Sequence, residues 1–303
     1  PRRGIAYAYS DKYRKKTLRL GDLLHLDESS VQARLQTMLE AKNLELGGCY
    51  HQEPMSYPAL MAWCKAKAAD FGAYICDTGN YLDQALKEGK RVVLEAQLGA
   101  MRDIDYGIFP YTSSSSTISA YGPIGAGIPG WRLDHVVGVL KAYSTCVGAG
   151  PFVAERAMPK DWTNALRQAG GEYGAATGRP RRVGPFDAVA SRYGLKCQNA
   201  DKIALTKLDV LTGMKRIPVI TAYESNGRRI DRFDPTINLD ACTPVVQYLA
   251  GWQEDISACR TWKALPQAAK VYITTLEAML DHEIQFISVG ATRNAFLTKG
   301  AWE

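Results

Sequence analysis

Short apolar runs that end in polar residues alternate along this chain with stretches of helical spacing, and that alternation limits the fold more than any other feature. Residues 202–211 read KIALTKLDVL and residues 283–290 read EIQFISVG. Short, largely apolar runs that end in polar residues are what buried strands look like. RVVLEA at 91–96, after a Gly-Lys turn, reads the same way. Apolar residues recur at helical spacing over 29–46, 57–71, 80–90, 133–143 and 268–281. Ser29 with Gln32 reads as a capping box opening the first of these. RIPVITAYESNGRRIDRF is a hairpin with Asn226 and Gly227 at its turn. The expected fold is therefore α/β, with a mostly parallel central sheet flanked by helices. No internal repeat or linker divides the chain, so residues 1–303 are expected to form one domain. Ligands in such sheets gather at the carboxyl ends of the strands. Those ends are expected to carry Ser113 to Thr117, Lys207 with Asp209, and Ser288 with Gly290.

Composition narrows the function. The apolar set is 46% and the charged set 22% of 303 residues, enough for a full core. A net charge of +6 suits an anionic small ligand as well as nucleic acid. The basic cluster Arg2, Arg3, Lys12, Arg14, Lys15 and Lys16 has only Tyr9 and Tyr13 interleaved, so a nucleic-acid arm ranks lower and no nucleic-acid partner is expected. Seven cysteines without a CxxC pair argue for a reducing compartment, and the expected location is cytoplasmic. Four histidines without metal-ligand spacing argue against a transition-metal site, and no metal ligands are expected in this chain. No apolar run approaches the roughly 20 residues of a membrane span. GxSxG, HExxH and GxxxxGK[ST] are all lacking. The opening PRRGIAYAYSDKYRKK has no initiator methionine, so the chain is expected to begin inside a longer protein.

Three stretches carry candidate chemistry. In GEYGAATGRPRRVGPFDAVASRYG, residues 171–194, Gly178 and Gly184 bracket Arg179, Arg181 and Arg182. Glycine admits a ligand close to the backbone, and the arginine fork matches carboxylate or phosphate oxygens in pairs. The segment reads as an anion-holding loop or as a solvated basic one. In TKLDVL, a strand would put Lys207 and Asp209 on one face, where the carboxylate can accept the two N–H donors of a guanine edge; an ion pair is the alternative. YTSSSSTIS offers hydroxyls to a phosphate, or is merely solvated.

Taken in order, RGIAYAYSDK, LRLGDLL, DIDYGIFPYTSSSST, LKAYSTCVGAGPF, GEYGAATGRPRRVGPFDAVA, LTKLDVL and LPQAAKVYI resemble the adenylosuccinate synthetases across essentially the whole chain. The resemblance implies a GTP-binding ligase fold and GTP-dependent joining of IMP and L-aspartate to give adenylosuccinate, GDP and phosphate. It implies two steps: the IMP oxygen at carbon 6 takes the γ-phosphoryl group, and the aspartate amine then displaces it, with Mg2+ spreading the phosphoryl charge. Ala175, Ala176, Thr177, Gly178, Arg179 and Arg181 fall on the family's aspartate loop, and Arg179 also approaches IMP. Lys207, Leu208 and Asp209 fall on the guanine-reading segment, with Ser288, Val289 and Gly290 closing over the base and Arg181 reaching the triphosphate. Arg3, Gln97, Ser113 and Val147 fall on IMP positions, Gln97 also as a supporting catalytic residue. Lys15 falls where a basic residue crosses to the neighbour's IMP site in a homodimer. The glycine-rich loop, the catalytic Asp–His pair and the main Mg2+ ligands of the family have no counterpart in these residues. Pro1, Lys15, Ala176 and Leu98 depart from the family pattern. A non-catalytic guanine-nucleotide binder, or a ligase for another purine nucleotide, remains the alternative.

Overall fold

Residues 202–206 form the strand around which the largest core is assembled. In KIALT, Ile203 and Leu205 are fully buried and their neighbours only partly so, the period-two pattern of pleated backbone. The structure is a computed structural model and describes residues 4–96, 98–174 and 178–300. Its contacts separate two compact units, one of residues 1–94, 113–115 and 123–131, the other of residues 95–112, 116–122 and 132–303.

The first unit is helical: α1 (Ile5–Tyr13), α2 (Ser29–Tyr50), α3 (Tyr57–Phe71) and α4 (Thr78–Lys87). Val31 and Leu35 of α2 bury against Leu26 and Cys64. The expected capping box does not form. Glu28 is the cap residue, Ser29 is already helical, and Gln32 Nε2 instead donates to the Leu26 carbonyl at 3.0 Å. In α3 and α4 the caps are Ser56, accepting from Ala59 N at 3.3 Å, and Asp77, accepting from Asn80 N at 3.0 Å. Residues 91–96 are not the buried strand expected of them. They have no regular structure and Val93 is 89% exposed. A strand exists only by pairing, and among the described residues this run pairs with none.

Short helix α5 (Tyr121–Ala126) lies within the glycine- and serine-rich stretch. The second unit holds β1 (Val137–Lys141), β2 (Ser144–Cys146), β3 (Arg182–Gly184), β4 (Phe186–Asp187), β5 (Lys202–Thr206), β6 (Arg216–Ser225), β7 (Arg228–Ile230), β8 (Thr243–Ala250), β9 (Ile284–Ser288) and β10 (Phe296–Thr298). It also holds α6 (Lys160–Ala169), α7 (Ala188–Gln198) and α8 (Gln267–Leu280). One sheet runs β1-β5-β9-β10, with β1, β5 and β9 parallel and β10 antiparallel at its edge. A second sheet centres on β6, parallel to β4 and antiparallel to β7 and β8; β2 and β3 pair separately. The α/β class holds, with mixed rather than mostly parallel β-structure.

Residues 133–143 correct the expectation of a helix, because Val137–Lys141 is strand β1. Val136, Val137 and Val139 lose side-chain freedom in a helix, and Gly138 weakens one further. Gly138 also sits where a Cβ would lie 2.6 Å from Leu195 Cδ2 and 3.2 Å from Ala200 Cβ. The close approach of α7 to β1 thus requires a glycine. The Asn226-Gly227 hairpin is as expected, with Ser225 opposite Arg228.

Candidate functional site

Because β1, β5 and β9 run parallel, their carboxyl ends lie together, and Glu172 is the residue on which the ends of β1 and β5 converge. Its carboxylate is fully buried. Oε1 accepts from Tyr143 OH at 2.6 Å, Lys141 Nζ at 2.9 Å and Lys207 Nζ at 3.0 Å; Oε2 accepts from Lys141 Nζ and Arg181 Nη1, both at 3.0 Å. Lys141 and Tyr143 come from the end of β1, and Lys207 follows the end of β5. Burial alone would raise the Glu172 pKa, but Tyr143, Lys141 and Lys207 hold it at about 2. Lys141 is held below its ordinary range, first by burial and then by the like charges of Lys207 and Arg181, against the pull of Glu172. One carboxylate facing three cations leaves the cluster positive, which favours an anionic ligand.

Glu172 also stands at the foot of the glycine- and arginine-rich loop. Arg181 N donates to the Glu172 carbonyl at 2.9 Å, Tyr173 and Pro180 form an antiparallel bridge, and Gly174 N donates to the Arg179 carbonyl at 2.8 Å. Gly178 takes φ 63°, which a side chain would strain, and its N–H reaches the Gly174 carbonyl at 2.7 Å. Arg179 is exposed at the tip, and Arg181 Nε is buried without a hydrogen-bond partner. Ala175, Ala176 and Thr177 lie outside the described residues. Arg182, counted with the loop in sequence, turns away: its guanidinium engages Glu155 and the Gly150 carbonyl.

The second cluster member expected from sequence, Lys207 with Asp209, is present in a different geometry. Strand β5 stops at Thr206, Lys207 takes the left-handed conformation at φ 61°, and Asp209 lies on a 3-10 turn over Leu208–Leu211. The two are not alternate residues of one strand face. Lys207 Nζ is drawn to Glu172 and to the Gly170 carbonyl at 2.5 Å. Asp209 Oδ1 is buried with no hydrogen-bond partner, and burial raises its pKa against the nearby Lys207 charge. A buried carboxylate oxygen without a donor is costly, so this one is poised for donors from outside the chain. Leu208 is fully buried beneath the turn. Beside it, at the end of β9, Ser288 Oγ donates to the Gly290 carbonyl at 3.0 Å, and the buried Val289 donates its N–H to Ala295.

The remaining sequence candidates are placed less tellingly. Val147 has an exposed side chain on a backbone pinned by Arg102, which reaches the Val147 carbonyl at 2.9 Å and the Ala149 carbonyl at 3.2 Å. In the other unit, Ser113 Oγ pairs with Ser115 Oγ at 2.7 Å, and Lys15 is exposed with φ 59°. Arg3 and Gln97 lie outside the described residues. Sequence reasoning missed Lys141, Tyr143 and Glu172, which stand alone in their segments. Asp103 is a further buried carboxylate, which gathers Thr117 N at 2.6 Å, Asp105 N, Tyr106 N and Ser116 Oγ. Burial works against Asp103, yet those donors, Thr117 first, hold its pKa low. Among the described residues no three His, Cys, Asp or Glu side chains converge as a metal-holding group, and no helix is long and apolar enough to cross a membrane.

The adenylosuccinate synthetase family profile matches residues 1–297. The chain is 40% identical over 296 residues to the adenylosuccinate synthetase of Frankia alni, covering 97% of this chain and 68% of that protein. It is 39% identical over 301 residues to that of Caldicellulosiruptor bescii, covering 98% and 70%. Its structure is similar to fully ligated adenylosuccinate synthetase from Plasmodium falciparum, with a TM-score of 0.87, 32% identity, and coverage of 98% of this chain and 70% of that one.

Proposed function

The chain belongs to the adenylosuccinate synthetase family, the GTP-dependent ligases that join IMP and aspartate in purine nucleotide biosynthesis, and from that premise we propose that the cluster around Glu172 and Asp209 is the GTP and aspartate end of the site. The observation that carries this reading is the unpartnered, buried Oδ1 of Asp209 at the end of β5. That oxygen accepts the N–H donors of the guanine edge. Lys207 lies beside the base, Leu208 floors it, and Ser288, Val289 and Gly290 close over it. Arg181, with Nε uncommitted, reaches the triphosphate and the amino acid together. Arg179, Gly178 and the loop residues Ala175, Ala176 and Thr177 hold the aspartate carboxylates, and Arg179 reaches toward IMP. By the family's motifs Val147, Ser113, Gln97 and Arg3 are assigned to IMP, Gln97 and Arg3 lying outside the described residues.

What these residues contribute is binding and charge: a positive cluster holds a dianionic amino acid and a polyphosphate in one place, which removes the entropic cost of bringing them together during reaction. The family's reaction uses Mg2+ with GTP; among the described residues no three His, Cys, Asp or Glu side chains converge to hold the ion. All seven cysteines are free thiols, in keeping with a cytoplasmic location.

Calorimetric titration with GDP and with ADP tests the assignment. The wild type is expected to prefer GDP, and Asp209→Ala to weaken GDP binding by about 1–3 kcal/mol, roughly 5- to 150-fold, while erasing the preference. Equal binding of the two nucleotides by the wild type would sink the reading. We also propose a homodimer in which Lys15 reaches the neighbouring IMP site. Sedimentation equilibrium should return twice the chain mass, and a monomer at micromolar concentration contradicts it.

A further inference from the structure

We infer that Glu172 is a positioning residue that ties nucleotide binding to amino-acid binding, by holding one cation of each site on a single carboxylate. The inference rests on the reading of the site above and deepens it.

Five donor contacts reach the two oxygens of Glu172, more than the about four lone-pair sites a carboxylate offers. Nothing remains with which to touch a ligand, and the group is fully buried. Its effect must therefore pass through the residues it holds. Lys207, at the base-reading turn, comes to Oε1; Arg181, from the glycine- and arginine-rich loop, comes to Oε2. The same residue's carbonyl takes the Arg181 N–H, so side chain and backbone grip one end of that loop. Tyr143 and Lys141 fix the carboxylate from the β1 side, and neither is assigned to a ligand. Tyr143 OH can come so close only because residue 170 is a glycine: a Cβ there would collide with the hydroxyl.

Lys207 itself sits in a left-handed conformation that non-glycine residues rarely adopt. Its ammonium is anchored by Glu172 and the Gly170 carbonyl. When a base settles on the 207–209 turn and fixes Lys207, Glu172 is fixed with it, and so is Arg181. Arg181 is then already held in place before the amino acid arrives. Two ligands that each profit from the same ordering bind cooperatively, and the benefit is reciprocal.

The test measures the GDP dissociation constant of the full chain by calorimetry, with and without saturating L-aspartate. In the wild type, aspartate is expected to tighten GDP binding by about fivefold or more, within the usual range of coupling between sites. Glu172→Gln removes the charge that holds both cations. It is expected to weaken GDP about tenfold and to bring the aspartate effect close to onefold. Should that variant fail to fold, Tyr143→Phe deletes a single donor to Glu172 and touches no assigned ligand position. It is expected to weaken GDP by about threefold and to reduce the aspartate effect in proportion. If either folded variant keeps the full aspartate effect, the inference is overturned while the site assignment stands. If the wild type binds no GDP, both fall together.

Discussion

Glu172 and Asp187 are both buried carboxylates, and their surroundings send them in opposite directions. Asp187, at the head of α7, meets only neutral donors, Ala190 N at 3.0 Å and Tyr223 OH at 2.7 Å. Burial therefore prevails and lifts its pKa from 3.8 to about 6. At Glu172 burial pulls the same way but is outweighed, and the value falls from 4.5 to about 2. A raised folded-state pKa stabilises the protein below the unfolded value and loses that contribution as pH climbs through the folded one. Asp187 should thus remove stability between about pH 4 and 6, by up to about 3 kcal/mol. Glu172 contributes stability above about pH 4.5 that is lost as pH drops toward 2. Urea midpoints across pH 4 to 7 check the first claim: the wild type should decline with pH more steeply than Asp187→Asn, and parallel curves would refute it. Arg179, Arg181, Lys207 and Asp209 stand out in sequence because they fall in two short motifs, GRPRR and TKLDVL. Lys141, Tyr143 and Glu172 do not, since a lone lysine, a lone tyrosine and a lone acid carry no local signal until parallel strands bring them together.

At the scale of elements, the misread segment is instructive. Val136, Val137 and Leu140 satisfy a helical spacing as well as a strand, and periodicity cannot separate the two over so short a run. Pairing decides: Val139 lies opposite Ala204 and Leu140 opposite Leu205. Gly138 is the informative residue, because the space above it is filled by Leu195 and Ala200. Gly138→Ala should cost about 1–3 kcal/mol through overpacking, and adding Leu195→Ala should relieve that clash at the expense of a cavity. Double-mutant analysis of the urea midpoints checks this; strict additivity of the two losses would show that the pair does not interact. Segments with longer and more regular patterns were read nearly to the residue. Tyr57–Phe71 is the helix expected, and α8 differs from its expected span by one residue at each end. RVVLEA shows the complementary failure, since a run can look like a strand and have no strand to join.

For the molecule as a whole, the core is divided unequally. Leu26, Val31, Leu35 and Cys64 make up the buried cluster of the first unit, whereas the second encloses a large one running from Ala142 to Leu297. Burial of apolar surface dominates stability, so the first unit should open at lower denaturant. Cys64 and Cys242 report the two units, each being nearly inaccessible in the folded chain. Pulsed thiol labelling across a urea series, read peptide by peptide, should find Cys64 reactive before Cys242; coincident curves would mean one cooperative transition instead. The sheet order adds a constraint of time. Strand β5 has β1 on one side and β9 on the other, and a ribosome finishing Thr206 has roughly 80 residues still to add before Ser288 exists. At ordinary translation speed that is about 4 to 16 s. Throughout that interval the newborn β5 presents an open, aliphatic border, so the moment of greatest vulnerability for this protein falls on the ribosome, before it ever meets a nucleotide.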